Sequence, residues 1–446
     1  MHGHFQRNML KQQTFRKRVI RYNYFKLFLS VVLVSLISCI LAFSLKHLTE
    51  FFQHYIYHYI QGQQAALFIL LPSIGITSIY FLRKYVFQNR KNKGIKEIYT
   101  TLETRKDHLP FFKIPSHFIN GFLTVIFGGS TGVEVSTVVA TATVGNQAYK
   151  RIHSAWAFKT ELICAAVTAG VTVLFGSGIG GLLFAFEVIA RRFSKTLLFS
   201  GMVSMILAYA FVYFFDGKPI LPFEVTHWNL SALPYIFLLA ILGGILALYF
   251  TKLVIYAKHY FGTIKSNFIR VNLGAITVGA LIFFLPQLYG DSYVGLHELL
   301  TLGQLYPMSQ LTWLPLMLLL FLKPLAASLT LGVGGDGGVF APSIVAGAFL
   351  GMLFAQLCNH WFGTELILLN FALFGAVAML SAAIHAPFAA LFIIMSVVPN
   401  GIQLFIPLLI ASFIAKVFAK WVYPYNVYTY KEEHSLSLPT GFPLKQ

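Results

Sequence analysis

One short stretch carries residues suited to handling an anion: Gly128-Gly129-Ser130-Thr131-Gly132-Val133-Glu134-Val135-Ser136. Glycines let a backbone turn tightly with its N–H groups exposed, and the apolar run from Val138 continues as a helix. A helix N-terminus presents unpaired N–H donors and partial positive charge, a ready anion site. Glu134 stands at that point. Deep in a membrane a bare carboxylate is costly, yet it is tolerable where it occupies the anion site itself, in place of an ion that passes. Protonation would then release it and open the path. The plainer alternative is a helix-capping glutamate.

A second stretch has the same form: Gly334-Gly335-Asp336-Gly337-Gly338-Val339-Phe340-Ala341-Pro342-Ser343. Proline suits a first helical turn, where its missing N–H is not needed. Phe340 takes the place that Glu134 has in the first stretch, so its ring could wall the site while the N–H groups of Val339 and Phe340 face the ion. A tight helix-packing turn is the alternative. Asp336 is expected to cap the helix that follows. His54 and His58, four apart on 51–60, share a helical face and could bind zinc. Without a third ligand nearby in sequence they make a weak site, and an interfacial aromatic stretch is the stronger expectation.

The elements that must hold these residues are membrane spans. Of 446 residues, 57% are hydrophobic and 11% charged, against roughly a quarter charged in soluble domains. Apolar stretches fall near 28–45, 66–82, 117–127, 138–148, 161–190, 197–215, 233–255, 271–289, 312–333, 343–360, 367–397 and 401–422. A helix needs about 20 apolar residues to cross, and several of these are shorter or are broken by glycines at 176–181 and 332–338. Broken helices belong where loose backbone lines a cavity or is buried in protein.

The chain also repeats itself. Leu123-Thr124, Gly128-Gly129 and Gly132-Val133 recur as Leu329-Thr330, Gly334-Gly335 and Gly338-Val339, each 206 residues later (329 − 123). A fainter echo pairs Gly180-Gly181-Leu182 with Ala389-Ala390-Leu391, 209 residues on (389 − 180). The expected fold is all-α and polytopic, with two inverted repeats near 25–215 and 233–422. The segment 1–24 is expected to be a cytoplasmic arm and 423–446 a short cytoplasmic tail.

Several function classes fall away. The net charge of +18 invites nucleic acid, but the bases collect in loops such as 83–96 and 191–195, as the positive-inside rule expects beside anionic lipid. Cys39, Cys164 and Cys358 have no paired spacing, so no disulfide framework and no metal site is expected. Neither a nucleophile–base pair nor a metal constellation marks an intramembrane enzyme. An organic-solute transporter would share the repeats, but with more charged binding residues than this mostly Gly, Ser, Phe and Tyr pathway.

From about Asn92 to Tyr428 the sequence resembles the CLC family of chloride channels and proton-coupled chloride transporters, in its prokaryotic type without C-terminal CBS domains. Gly132-Val133-Glu134-Val135-Ser136 resembles the family's G-x-E-x-P stretch, Gly338-Val339-Phe340-Ala341-Pro342 its G-x-F-x-P stretch, and Lys323-Pro324-Leu325-Ala326 is typical of it. The resemblance implies that Glu134 is the gating glutamate. It implies an anion site formed by Val339 and Phe340 with Gly132, Val133 and Val135 of the first turn, and by the hydroxyl of Tyr428. A neutral O–H donor holds an anion without trapping it, although an interfacial tyrosine beside Tyr423 and Tyr425 is the alternative reading of Tyr428. It further implies a homodimer in a bacterial inner membrane, both termini cytoplasmic, carrying chloride or another small anion without a cofactor.

Four positions depart from the family. Lys93 takes the place of an anion-contacting serine, Ser136 replaces a proline, and Asp336 stands where a small neutral residue is usual. Val188 occupies the place of the inner proton-accepting glutamate, with acidic Glu187 beside it. The expectation is channel-like or weakly proton-coupled conduction. Chloride/proton exchange through Glu187, or a fluoride- or nitrate-preferring variant, is the alternative.

Overall fold

A computed structural model describes residues 2–63, 65–88, 90, 92–104, 108–151, 158–305 and 310–430, with side chains from residue 22 onward except 63 and 310–312. The described residues form sixteen α-helices and no strand beyond one isolated bridge. The first repeat holds α1 (His2–Gln63), α2 (Leu71–Tyr85), α3 (Ile95–Glu103), α4 (Lys113–Ile126), α5 (Glu134–Arg151), α6 (Lys159–Phe175), α7 (Gly178–Phe184) and α8 (Lys195–Phe215). The second holds α9 (Leu233–Thr263), α10 (Asn267–Phe284), α11 (Tyr293–Leu305), α12 (Gln310–Val333), α13 (Phe340–Phe362), α14 (Leu368–Ile384), α15 (Pro387–Ser396) and α16 (Phe405–Val422).

Seven helices among the described residues are long and apolar enough to cross a membrane. The others are shorter or less apolar, as the broken pattern predicts. Two of the long apolar stretches are split, one at a break that the glycine pattern predicts and one at a break that it does not. The 161–190 stretch breaks at Gly176, whose φ is +68°, as the glycine cluster suggests; the 367–397 stretch breaks at His385, whose φ is +59°. These positions lie 209 residues apart (385 − 176), the interval of the fainter echo. The second break carries no glycine; its local sign is Pro387, which opens the next helix and cannot continue the one before it.

Burial separates the helices into two sets. α5, α6, α13 and α14 are buried along most of their length, whereas α8, α10 and α16 turn most of their surface outward. In lipid, association depends on close packing of small residues, and the buried helices carry them. A Cβ at Gly347 would strike the backbone of Gly375, bringing α13 against α14, and one at Gly145 would strike the backbone of Leu162, bringing α5 against α6. The outward helices carry large apolar side chains such as Ile206, Tyr209 and Phe284, which lipid tails solvate. The four buried helices form the frame on which both glycine turns sit.

Candidate functional site

The two glycine turns meet. Gly132 and Gly338 form an antiparallel backbone bridge, and the contacts around it are reciprocal. Thr330 Oγ1 accepts from the Ser130 amide at 3.1 Å, and Thr124 Oγ1 accepts from the Asp336 amide at 2.9 Å. Gly129 and Gly335 each donate to the threonine carbonyl of their own turn, at 2.8 and 2.9 Å. Each turn opens on a left-handed glycine, Gly128 at φ +81° and Gly334 at φ +112°. Every one of these pairs is separated by 206 residues, so the sequence repeat is a local pseudo-two-fold axis in space. Thr131 adds a bond that Gly337, its counterpart, cannot return: its hydroxyl donates to the Gly338 carbonyl at 2.8 Å and accepts from the Gly338 amide at 3.0 Å.

Glu134 begins α5 and is buried. Its side chain folds back over Gly132, where any Cβ would collide with the carboxylate; only glycine permits that approach. Backbone amides of Glu134 itself and of Ala341, in the first turn of α13, face the carboxylate. Its Oε2 has no hydrogen-bond partner among the described residues. The carboxylate thus lies between the N-terminal ends of the two broken helices, where donors and the positive ends of the helix dipoles favour negative charge.

Val339 is the last residue before α13, and Val339 and Phe340 are both buried. The Phe340 ring packs against Phe184 with centroids 5.3 Å apart and lies 6.4 Å from the Tyr428 ring. Asn426 sets Tyr428 in place: its Oδ1 accepts from the amides of Tyr428 and Thr429 at 3.0 and 2.9 Å, while its Nδ2 donates to the Ile384 carbonyl at the end of α14. Such side-chain-to-backbone turns stabilise irregular chain. The buried Tyr428 hydroxyl lies near the Val339 amide and has no hydrogen-bond partner among the described residues. Buried polar atoms seldom go unpaired without reason, and here three do so around the start of α13, on Glu134, Tyr428 and Ser343. Residues 431–446, the rest of the expected tail, lie outside the described residues.

Two cavities approach this segment. A vestibule of about 570 Å³ is lined by Arg83, Lys93, Lys96, Lys258 and Arg270 with one acid, Asp336, and reaches Val135 and Tyr428. A smaller cavity of about 40 Å³ is lined by Lys46, Thr49, Glu50, Val133, Glu134, Asp291 and Tyr293, among others. Glu134 belongs to one and Val135 to the other, so the Gly132–Val135 backbone divides them. Lys93 is exposed in the vestibule, and its amide is held by Glu97 Oε1 at 2.8 Å.

Asp336 corrects an expectation. It does not cap α13, whose N-terminal residue Val339 has no side-chain cap. Its carboxylate turns instead toward the first repeat, where Asn92 Nδ2 donates to Oδ2 at 2.5 Å, His117 Nδ1 lies at 3.2 Å and Arg83 at 3.9 Å. Ser136, in place of the family proline, brings its hydroxyl to 3.4 Å of Asp336 Oδ1. His117 in turn stands 3.9 Å from Glu97, which pairs with Lys113 at 2.7 Å. A buried charge is tolerable when it is paired and hydrogen-bonded, and this acid near an anion path is both.

Sequence reading did not single out His117. Its signal was available, because Lys323 minus the 206-residue interval is position 117. Lys323 is fully buried and donates to Ser130 Oγ at 2.9 Å, the Gly290 carbonyl at 3.0 Å and Ser292 Oγ at 2.8 Å. Each glycine turn is therefore braced at its third residue by a basic side chain from the helix that leads into the other turn.

Glu187 and Val188 lie in a π-helical turn, Ala185–Ala190, after α7, and line neither cavity. The Glu187 carboxylate accepts from the amides of Ala389 at 2.7 Å and Phe388 at 3.4 Å, so it satisfies the free donors at the start of α15. The three cysteines are free and buried.

Comparison with known proteins agrees with this architecture. A family model described as voltage gated chloride channel matches residues 74–420. The H(+)/Cl(-) exchange transporter ClcA of Yersinia pestis bv. Antiqua (strain Angola) is 25% identical over 357 residues, 77% of this chain and 72% of that protein. Among solved structures, a slow cyanobacterial Cl-/H+ antiporter superposes with a TM-score of 0.79 at 20% identity, covering 93% of this chain and 99% of the other. A CLC-type fluoride/proton antiporter gives a TM-score of 0.74 at 21% identity, covering 90% and 96%. With the family model spanning most of the membrane domain and the paired glycine turns at its centre, this chain belongs to the voltage-gated chloride channel family, the CLC family.

Proposed function

We propose that this protein carries chloride or a similar small anion between the two cavities, past the segment Gly132–Val135, with the Glu134 carboxylate as the gate. The observation that carries this reading is the position of Glu134, a buried carboxylate with one unpartnered oxygen, facing the Ala341 amide and lining the smaller cavity. An anion entering the basic vestibule meets the Tyr428 hydroxyl and the backbone of Val339 and Phe340. To pass further it must displace the carboxylate, and protonation of Glu134 removes the competing charge. Asp336, balanced by Arg83 and His117, does not repel the ion.

Conduction is channel-like or weakly proton-coupled in this reading. Val188 offers no titratable group, and Glu187 is engaged in satisfying α15. Proton-coupled exchange is the second reading, favoured by the activities named for the relatives, two Cl⁻/H⁺ exchangers and a fluoride/proton antiporter. The family further suggests a homodimer in an inner membrane with cytoplasmic termini.

Anion efflux from liposomes tests the gate, comparing chloride, nitrate and fluoride with Glu134→Ala beside the parent. We expect the variant to lose pH dependence; unchanged rates and unchanged pH dependence would sink the assignment. Chloride driven uphill by an imposed proton gradient would replace the channel-like reading with exchange.

A further inference from the structure

The pair His54 and His58 has no part in the pathway. Both side chains are exposed on α1, and their Nε2 atoms lie 3.0 Å apart in a hydrogen bond, the rings inclined at 61°. Two tetrahedral zinc ligands at the usual bond length of about 2.0–2.1 Å stand about 3.3 Å apart, so a few tenths of an ångström separate this pair from a chelating geometry. The sequence offered no third ligand, but the fold supplies a neighbour. Glu298 of α11 lies within electrostatic reach of His58, of His297 and of Tyr57 on the same turn of α1.

The location gives this pair a consequence. The candidate span Tyr22–Gly62 has 41 residues; at about 1.5 Å per residue it is roughly twice the hydrocarbon thickness of about 30 Å. With the apolar stretch 28–45 in the core, the far end, with Phe51, Tyr55 and Tyr59 exposed, emerges at the membrane–water interface. Lys46, Thr49 and Glu50 of that end line the smaller cavity with Glu134 and Tyr293. One turn further, Gln53 Nε2 donates to Asp291 Oδ1 at 3.0 Å, and the same oxygen accepts from the Tyr293 amide at 3.1 Å, at the start of α11. His54 and His58 continue α1 past this contact, and Glu298 continues α11. An ion held between them would tie together two of the helices beside the smaller cavity.

We propose that His54 and His58 form a site for a borderline divalent transition metal such as zinc, completed by water or by Glu298, and that its occupancy restrains anion passage. Imidazole nitrogen with one carboxylate selects zinc or copper over calcium or magnesium. Among the described residues no three ligands already stand in a coordinating set, so the ion draws Glu298 inward or keeps water in its place.

Zinc binding to the full chain in detergent, by isothermal titration with zinc sulfate, tests the site without reference to transport. The parent should bind one zinc, His54→Gln/His58→Gln should bind at least about tenfold more weakly, and Glu298→Gln only about threefold more weakly, as expected for a partner beside the ion. No binding by the parent, or equal affinity in the double variant, overturns the site. Both histidines are exposed, so the double variant should match the parent in gel filtration and in zinc-free efflux. In liposomes, zinc should slow parent efflux several-fold, a chelator should restore it, and the double variant should not respond. Binding without any change in efflux would overturn the restraint on passage while leaving the site and the gate intact.

Discussion

The two glycine turns share a backbone and differ in charge. In the first, the third residue is Ser130, and Lys323 braces it through neutral acceptors only. In the second, the third residue is Asp336, and its brace is His117 with Arg83. The first turn thus keeps a buried cation that no carboxylate bonds directly but that faces Glu134 and Asp291 at longer range, and the second encloses its charges in a cluster with its own acid. Symmetry of the chain supplied two equivalent helix N-termini; three side-chain differences, Ser130 against Asp336, Lys323 against His117 and Glu134 against Phe340, give them different charge. A repeat can therefore build the frame while departures from the repeat set the chemistry.

Breaking the balanced cluster should have the largest effect. Asp336→Asn leaves His117 and Arg83 without their carboxylate, and removing one partner of a buried pair costs about 3–5 kcal/mol. Thermal unfolding in detergent should show a marked loss, part of which His117→Gln in the same chain should recover. Equal stability of parent and Asp336→Asn would mean that the cluster carries no net structural weight.

Lys323→Met tests the other side of the comparison. It deletes three hydrogen bonds from a charged donor, each worth about 1.5–3 kcal/mol at most, but flexible neighbours and the gain of an apolar side chain offset part of that. The sharper effect should be on transport: removal of positive charge near Glu134 should cut anion efflux about tenfold, equivalent to about 1.4 kcal/mol. Efflux that falls no more than in the Asp336→Asn chain, after correction for folded protein, would contradict the contrast between the turns.

The smallest effects sharpen the shared frame. Thr124→Val and Thr330→Val each remove one reciprocal bond and one bond to the carbonyl four residues back, each worth about 0.5–1.5 kcal/mol. Because the two contacts are related by the pseudo-two-fold axis, the losses should agree within about 0.5 kcal/mol. Unequal losses measured by the same thermal assay would show that the axis is geometric only.

Much of this was legible beforehand. Glu134, Val339 and Phe340 announced themselves through glycine turns at a shared interval, because a tight turn needs a residue type that pattern alone reveals. The broken helices followed from short apolar stretches. The break at His385 did not, since its sign is a single proline, Pro387, two residues beyond a left-handed histidine rather than a glycine cluster. Asp336 was misread as a cap because local spacing suggests a local role, while its partners lie on α2 and α4, more than 200 residues away.

The sequence by itself determined the membrane class, the two repeats and the family, because apolar run length, glycine placement and motif spacing are local properties of the chain. Only the tertiary structure decided where each charge ends. It brought Lys323 to Ser130, His117 to Asp336, Tyr428 beside Phe340 and Glu298 near His58. Each of these joins side chains remote in sequence, and burial in a membrane leaves such polar groups no solvent, so their partners are chosen by the packing of whole helices.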